Sequence, residues 1–232
     1  MNYRRPSLVA AACVASLLVL IAGCDKDKKG VEPPAELVDL KPTLAVQKLW
    51  DTSVGGGGEK LRLALSLALD RGVLFTAARD GEVVALDPAT GRVKWSQDTK
   101  ADLAAGPGVG ASVVAVGTSD GKVIALDVAS GKVLWQASVS SEVLAAPLVT
   151  GDRVVVRSVD GRVHALDALT GRSQWTGEEP VPKLSLRGTA SPVLAKDNIV
   201  AGFDSGKVVA FALASGDIAW QAADMRTRGF LL

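Results

Sequence analysis

The chain has 232 residues, of which 48% are hydrophobic and 22% charged, with a formal net charge of +1. That balance supplies ample apolar surface for a buried core and excludes both a disordered chain and a wholly membrane-embedded one. It also gives no reason to expect a polyanionic partner.

In chain order, the first predicted element is an export signal. Arg4 and Arg5 precede an apolar run from Leu8 to Ala22 that only Ser16 interrupts, too short a run to favour a spanning helix. The run ends at LIAGC, Leu20 to Cys24, which resembles the bacterial lipobox. The resemblance implies that residues 1–23 are a lipoprotein signal peptide and that Cys24 becomes the lipidated first residue. An ordinary secretory signal with an incidental cysteine is the competing reading, and a twin-arginine reading of YRRPSL lacks the usual flanks. Cys13 falls in the removed segment, so the mature chain has neither a free thiol nor a disulfide. Losing Arg4 and Arg5 leaves 24 basic against 25 acidic residues. Each buried acyl methylene contributes roughly 0.8 kcal/mol, so more than one acyl chain would hold the protein on a membrane without a transmembrane helix.

Residues 24–42 comprise the lipidated cysteine and a charged, proline-bearing segment poor in β-formers, which reads as a flexible tether. About 18 residues of coil span roughly 20 to 25 Å.

The body, residues 43–223, is an internal repeat. DGEVVALDPATGRVKW (Asp80 to Trp95), DGKVIALDVASGKVLW (Asp120 to Trp135), DGRVHALDALTGRSQW (Asp160 to Trp175) and SGKVVAFALASGDIAW (Ser205 to Trp220) align without a gap. Successive tryptophans recur at a period of about 40 to 45 residues, which signals a solenoid or propeller. Each unit holds four strand signals separated by Asp-Gly and Thr/Ser-Gly turns. Asp87, Asp127 and Asp167 each precede the turn Thr or Ser of their unit and are expected to accept hydrogen bonds from turn amides, a structural role rather than a catalytic one. Four antiparallel strands in about forty residues predict an all-β propeller of stacked blades, with Trp95, Trp135, Trp175 and Trp220 wedged against neighbouring blades. Blade one opens with LRLALSLAL, whose alternation predicts a half-buried strand. No helix is expected in the body.

The pattern A-x-D-x-x-[T/S]-G-x-x-x-W, intact from Ala85 to Trp95, Ala125 to Trp135 and Ala165 to Trp175, resembles the tryptophan-docking repeat of quinoprotein-type, or PQQ-like, eight-bladed propellers. The fourth copy departs from it, with Ala212 in the aspartate position. Two function classes share this repeat. Dehydrogenases that carry pyrroloquinoline quinone place adjacent cysteines, a calcium site and a catalytic aspartate around the cofactor, whereas the mature chain has no cysteine. Its single histidine, His164, fills the position of Val84, Ile124 and Val209, which reads as packing. Gly55 to Gly58 lack the lysine of a phosphate-binding loop and read as a loop entering blade one. No catalytic residue, metal site or cofactor is therefore expected. A sensor ectodomain would need a transmembrane helix and a cytoplasmic domain.

Lipobox, tether and blades in this order resemble instead the BamB family, lipoprotein propellers of the outer-membrane β-barrel assembly (Bam) machinery. The stretch EEPVPKLSLRG, Glu178 to Gly188, carries the most specific local likeness. Pro107, Pro147 and Pro192 stand at one fixed offset before the turn glycines Gly121, Gly161 and Gly206, and so mark equivalent first strands. The interval from Trp95 to Pro107 equals that from Trp135 to Pro147, whereas the interval from Trp175 to Pro192 is longer by five positions. The extra residues therefore fall between blades three and four. The resemblance implies that Leu184, Leu186 and Arg187 meet a periplasmic POTRA domain of BamA, apolar anchors beside an arginine being common interface hot spots. The competing reading has KLSLRG start the next inner strand.

Trp50 ends AVQKLW, a final-strand signal with no first three strands before it, and residues 224–232 match no repeat feature. Eight blades of about 40 to 45 residues need roughly 320 to 360 residues, so the sequence reads as four blades of a probable eight, an open propeller ended by truncation or a frameshift shortly after Gln221. Two copies closing together, or a four-bladed ring, are the alternatives. Asp25, directly after Cys24, resembles an inner-membrane retention signal, against the outer-membrane site that the family implies.

Overall fold

The computed structural model describes residues 36, 43–56, 58, 63–182 and 190–222. Contacts divide the chain into residues 1–46 and 47–232, and the second unit carries every described strand.

Among the described residues all regular structure is β. After β1 (Ala64–Leu65) come four blades. Blade one is β2 (Ala68–Asp70), β3 (Val73–Ala77), β4 (Glu82–Leu86) and β5 (Val93–Asp98). Blade two is β6 (Leu103–Gly110), β7 (Val113–Thr118), β8 (Lys122–Asp127) and β9 (Val133–Ser138). Blade three is β10 (Leu148–Thr150), β11 (Arg153–Arg157), β12 (Arg162–Asp167) and β13 (Ser173–Glu178). Blade four is β14 (Val193–Ala195), β15 (Asn198–Gly202), β16 (Val208–Ala212) and β17 (Ile218–Gln221). Each blade runs up and down in sequence order, as short turns between antiparallel strands dictate.

The turns explain the motif residues. At the second-to-third-strand hairpins, Gly81, Gly121, Gly161 and Gly206 hold φ of 103°, 79°, 87° and 81°, a region that side chains other than hydrogen disfavour. A Cβ on the first three would also lie 2.9, 2.9 and 2.3 Å from a carbonyl oxygen of the connection crossing above. At the next turn, Asp87 Oδ1 accepts from the amides of Ala89 and Thr90 and from the Thr90 hydroxyl at 2.9–3.0 Å. Asp127 and Asp167 do the same with Ser130 and Thr170. The hydroxyl bonds first, then the amide bonds, hold all three carboxyls below their ordinary pKa. Blade four, lacking this aspartate, keeps the underlying Gly216 N–H to Ala212 C=O bond at 2.8 Å and turns Ser215 onto Asp217 instead.

A register shift recurs in every blade, at Ala85/Leu86, Ala125/Leu126, Ala165/Leu166 and Ala210/Phe211. It sets each tryptophan opposite the small residue just before it, Trp95 across from Ala85 for example. The alanine of the repeat thus makes room for the indole.

The core lies between blades. Val113, Ala115, Val123 and Ala125 face Val154, Val156 and Leu166, whereas Val114, Val116, Ile124 and Leu126 face Phe75 and Val83. Alternate residues of one strand therefore enter two seams, and all six residues of β7 are buried. This two-sided burial is why the middle strands read as continuous apolar runs.

One expected element is different. LRLALSLAL is not a single strand: β1 pairs in parallel with β6 of blade two, through Ala64–Ala105 and Leu65–Gly106, while β2 pairs antiparallel with β3. The break falls at Ser66–Leu67, where the Ser66 amide still donates to the Gly106 carbonyl. Alternation specifies a face but not a neighbour, and the free edge of β6 offers unpaired backbone groups to the passing chain. Likewise β6 begins at Leu103, well ahead of Pro107, whereas β10 and β14 begin directly after Pro147 and Pro192.

Candidate functional site

Four indoles dock in one way. The Nε1–H groups of Trp50, Trp95, Trp135 and Trp175 donate to the carbonyls of Pro88, Val128, Ala168 and Leu213 at 2.9, 2.9, 2.8 and 2.9 Å. Their rings cover Gly91, Gly131, Gly171 and Gly216, where an added Cβ would lie 2.5–2.6 Å from a ring carbon. Trp220 is 44% exposed.

The docking of Trp50 changes how the spacing reads. Trp50 plays toward blade one the part that each later tryptophan plays toward the next blade, so the stretch after it counts as an inter-blade connection. Leu67 stands at the same offset before Gly81 as Pro107, Pro147 and Pro192 stand before their glycines, and Trp50 to Leu67 equals Trp175 to Pro192 in length. The long connection between blades three and four is therefore not the sole irregularity; in chain order the connections run long, short, short and long. In the first connection the Gly55 and Gly56 amides donate to the Glu82 and Asp80 carboxylates at 2.7 and 2.8 Å. Gly55 needs its glycine, because a Cβ there would lie 2.4 Å from both the Ala78 Cβ and Asp80 Oδ1.

The inter-blade connections and the second-to-third-strand hairpins form one face. The amides of Thr99, Val139 and Glu179 donate to the carbonyls of Gly81, Gly121 and Gly161 at 2.9, 2.8 and 3.0 Å. Leu184, Leu186 and Arg187 lie in residues 183–189, outside the described residues; the chain is described up to Pro182 and again from Ala190. Before that stretch the chain is firmly held. Glu179, 4% exposed, pairs with Lys207 of blade four at 2.7 Å, and Val181 lies against Gly161. Asp160, Arg162, Glu178, Glu179 and Pro180 together line a cleft on this face.

Sequence reasoning missed two charged residues at the seam of blades three and four. The Arg157 side chain is 2% exposed, pairs with Asp204 at 3.5 Å and lies 5.2 Å over the Phe203 ring. Glu179 is the other. The signal available was the repeat: Arg157 stands where the other copies have Ala77, Gly117 and Gly202, and Glu179 where they have Thr99 and Val139.

His164 is packed on β12 opposite Val156 and Thr176, and it also gathers hydroxyls. Nε2 is 3.0 Å from Ser140 Oγ and 3.2 Å from Ser158 Oγ, and Nδ1 is 3.2 Å from Thr176 Oγ1. A serine within reach of a histidine is the start of a nucleophile–base pair, but here the far nitrogen faces a threonine hydroxyl instead of an orienting carboxylate. Burial pushes the imidazole below its ordinary pKa, with the Asp160 carboxylate opposing and Arg162 adding to the depression. Asp160 is raised by burial, yet hydrogen bonds from Ser140 and Ser158 outweigh this and hold it low. Among the described residues no three His, Cys, Asp or Glu side chains could hold a metal ion.

Solved structures share this architecture. A crystal structure of BamB from Moraxella catarrhalis superposes with a TM-score of 0.63 at 29% identity, covering 67% of this chain and 47% of that one. A europium-containing methanol dehydrogenase superposes with a TM-score of 0.54 at 18% identity, covering 73% of this chain and 42% of that one, a likeness of fold alone. The sequence is 53% identical over 210 residues to the outer membrane protein assembly factor BamB of Pseudomonas aeruginosa, covering 90% of this chain and 55% of that protein. It is 52% identical over 225 residues to the Alkalilimnicola ehrlichii protein of the same name, covering 97% of this chain and 57% of that one. The chain spans about half the length of the curated relatives it matches. With residues 46–104 and 79–229 also matching the family model described as outer membrane protein assembly factor BamB, the chain belongs to the BamB family.

Proposed function

We propose that this chain is a non-enzymatic scaffold of the outer-membrane β-barrel assembly machinery, working without a cofactor. Cys24 anchors it to the outer membrane, residues 25–42 tether it, and the blades face the periplasm. The face built from the inter-blade connections receives a POTRA domain of BamA through Leu184, Leu186 and Arg187. Family membership carries this reading. The firm attachment of the connection through Glu179 and Lys207, just before these residues, supports their role as a presented surface.

Capture of purified BamA POTRA domains by Leu184→Ala and Arg187→Ala variants tests the contact. Binding is expected to fall by about tenfold or more for each, the loss of a hot-spot side chain, while the circular dichroism of the blades stays unchanged. Unchanged capture would show instead that KLSLRG serves only to start the next inner strand. A Cys24→Ser variant is expected to leave the membrane for the soluble periplasmic fraction, because removing the acyl chains removes the anchor. Sucrose-gradient fractionation of the parent chain reads its destination, and recovery with the inner membrane would mean that Asp25 governs sorting.

A further inference from the structure

We infer that Glu179 and the Pro180-Val181-Pro182 segment after it form a stiff bracket, a positioning element that fixes the course on which the long connection leaves blade three. Its use rests on the proposed POTRA contact, because Leu184, Leu186 and Arg187 follow the bracket directly in the chain.

The anchor of the bracket joins two blades. Like the amides of Thr99 and Val139 in the short connections, the Glu179 amide donates to the glycine carbonyl of its own blade's hairpin. The Thr99 hydroxyl turns back to that same carbonyl, of Gly81, at 2.9 Å. The Glu179 side chain instead reaches blade four, where its Oε1 pairs with Lys207 Nζ at 2.7 Å. Lys207 closes the hairpin of that blade, its carbonyl accepting from the Phe203 amide at 2.9 Å, and the Arg157–Asp204 pair ties the same hairpin to blade three. Desolvation offsets much of the attraction in an ion pair with a buried member, so the pair adds little net stability while still dictating where the carboxylate lies.

The arm of the bracket is stiff by covalent chemistry. A proline ring holds φ near −65° and drives the residue before it out of the helical region. Pro180 and Pro182 therefore restrict every residue from Glu179 to Pro182, two as prolines and two as their predecessors. Both prolines are exposed, so they contribute stiffness and not packing. Val181 gives a second point of support: a Cβ on Gly161 would lie 2.6 Å from its Cγ2.

The other long connection is held in the opposite way. In the stretch of equal length after Trp50, Gly55 to Gly58 stand where Pro180 to Lys183 stand after Trp175. That backbone is permissive, and its Gly55 and Gly56 amides are tied to the Glu82 and Asp80 carboxylates. Proline has no amide hydrogen to offer, so the segment at Pro180 is anchored through a side chain at its start, that of Glu179.

Variants of the full-length chain separate anchor, arm and contact. Glu179→Thr gives the anchor position the residue that blade one has in Thr99. Pro180→Gly/Pro182→Gly loosens the arm, and Leu184→Ala removes a proposed contact. Two readouts are the rate of tryptic cleavage after Lys183 under native conditions, with cleavage after Lys122 on β8 as the reference for general unfolding, and the affinity for purified POTRA domains. In both bracket variants cleavage after Lys183 is expected to rise about tenfold with no change after Lys122. POTRA affinity is expected to fall about fivefold, although every proposed contact residue is retained, because the freed segment must be ordered on binding. Glu179→Gln, which keeps an oxygen acceptor for Lys207, should stay within about twofold of the parent chain in both readouts. Parent-rate cleavage after Lys183 in either bracket variant overturns the inference, as does an equal acceleration after Lys122. Where Leu184→Ala lowers capture, bracket variants that bind like the parent chain overturn it as well. Where Leu184→Ala leaves capture unchanged, the contact assignment fails, and the cleavage rates alone decide the bracket.

Discussion

Trp135→Ala is expected to lower the unfolding free energy by about 3 to 5 kcal/mol, the range for emptying a large core site. The indole is 8% exposed, packs among Ala125, Val154 and Leu166, and donates to the Ala168 carbonyl. Truncation leaves a cavity between blades two and three and strips a carbonyl of its partner, and the ring's seat over Gly171 is too shaped to refill by small shifts. Trp220→Ala is the matched control: the same residue type on the equivalent strand, 44% exposed, should cost less than about 1 kcal/mol. Urea denaturation followed by far-ultraviolet circular dichroism compares them. Equal losses would mean that the tryptophans stabilise within their own blade and that docking across the seam contributes little. Since each blade contacts only its neighbours, the Trp135 variant should also separate the unfolding of blades one and two from that of three and four.

Asp204→Ala is expected to cost about 3 kcal/mol, near the lower end for an unpaired buried charge because the pair is 3.5 Å apart. The loss comes from the Arg157 guanidinium, which is 2% exposed and whose Nε already has no hydrogen-bond partner. Its stacking on Phe203 retains part of the interaction. Adding Arg157→Ala, the residue that Ala77 provides in blade one, should recover stability relative to the single variant, since the uncompensated charge goes with it. If the double variant is the less stable of the two, the seam depends on the packing of the arginine stem and the ion pair is secondary.

Most of the fold was legible because the repeat states the same local chemistry several times. Asp-Gly fixes the hairpin, D-x-x-[T/S]-G fixes the turn that follows, and the small Ala85, Ala125 and Ala165 mark the positions opposite each indole. Where a residue stood outside the aligned copies, the sequence was less informative. AVQKLW could be recognised as a final strand, but that Trp50 seats on Pro88 and Gly91 depends on a surface contributed by a distant part of the chain. Without that contact the long stretch after Trp50 could not be seen as the counterpart of the one after Trp175.

The face that carries the proposed partner contact was partly legible. Spacing located the long connection between blades three and four, but it carries no mark of the burial of Glu179 or of its pairing with Lys207, which a different blade contributes. His164 read as a packing residue, and it is packed; the hydroxyls of Ser140 and Thr176, each from another element, are what make it polar.

The sequence by itself determined the all-β class, the four-stranded blade, the turn chemistry and the tryptophan on each outer strand, since all of these are set by residues within one repeat unit. Only the tertiary structure decided which edge LRLALSLAL joins, which tryptophans are seated and where buried charge accumulates. Those outcomes rest on contacts between units, where one strand edge or side chain has several possible partners and close packing admits one of them.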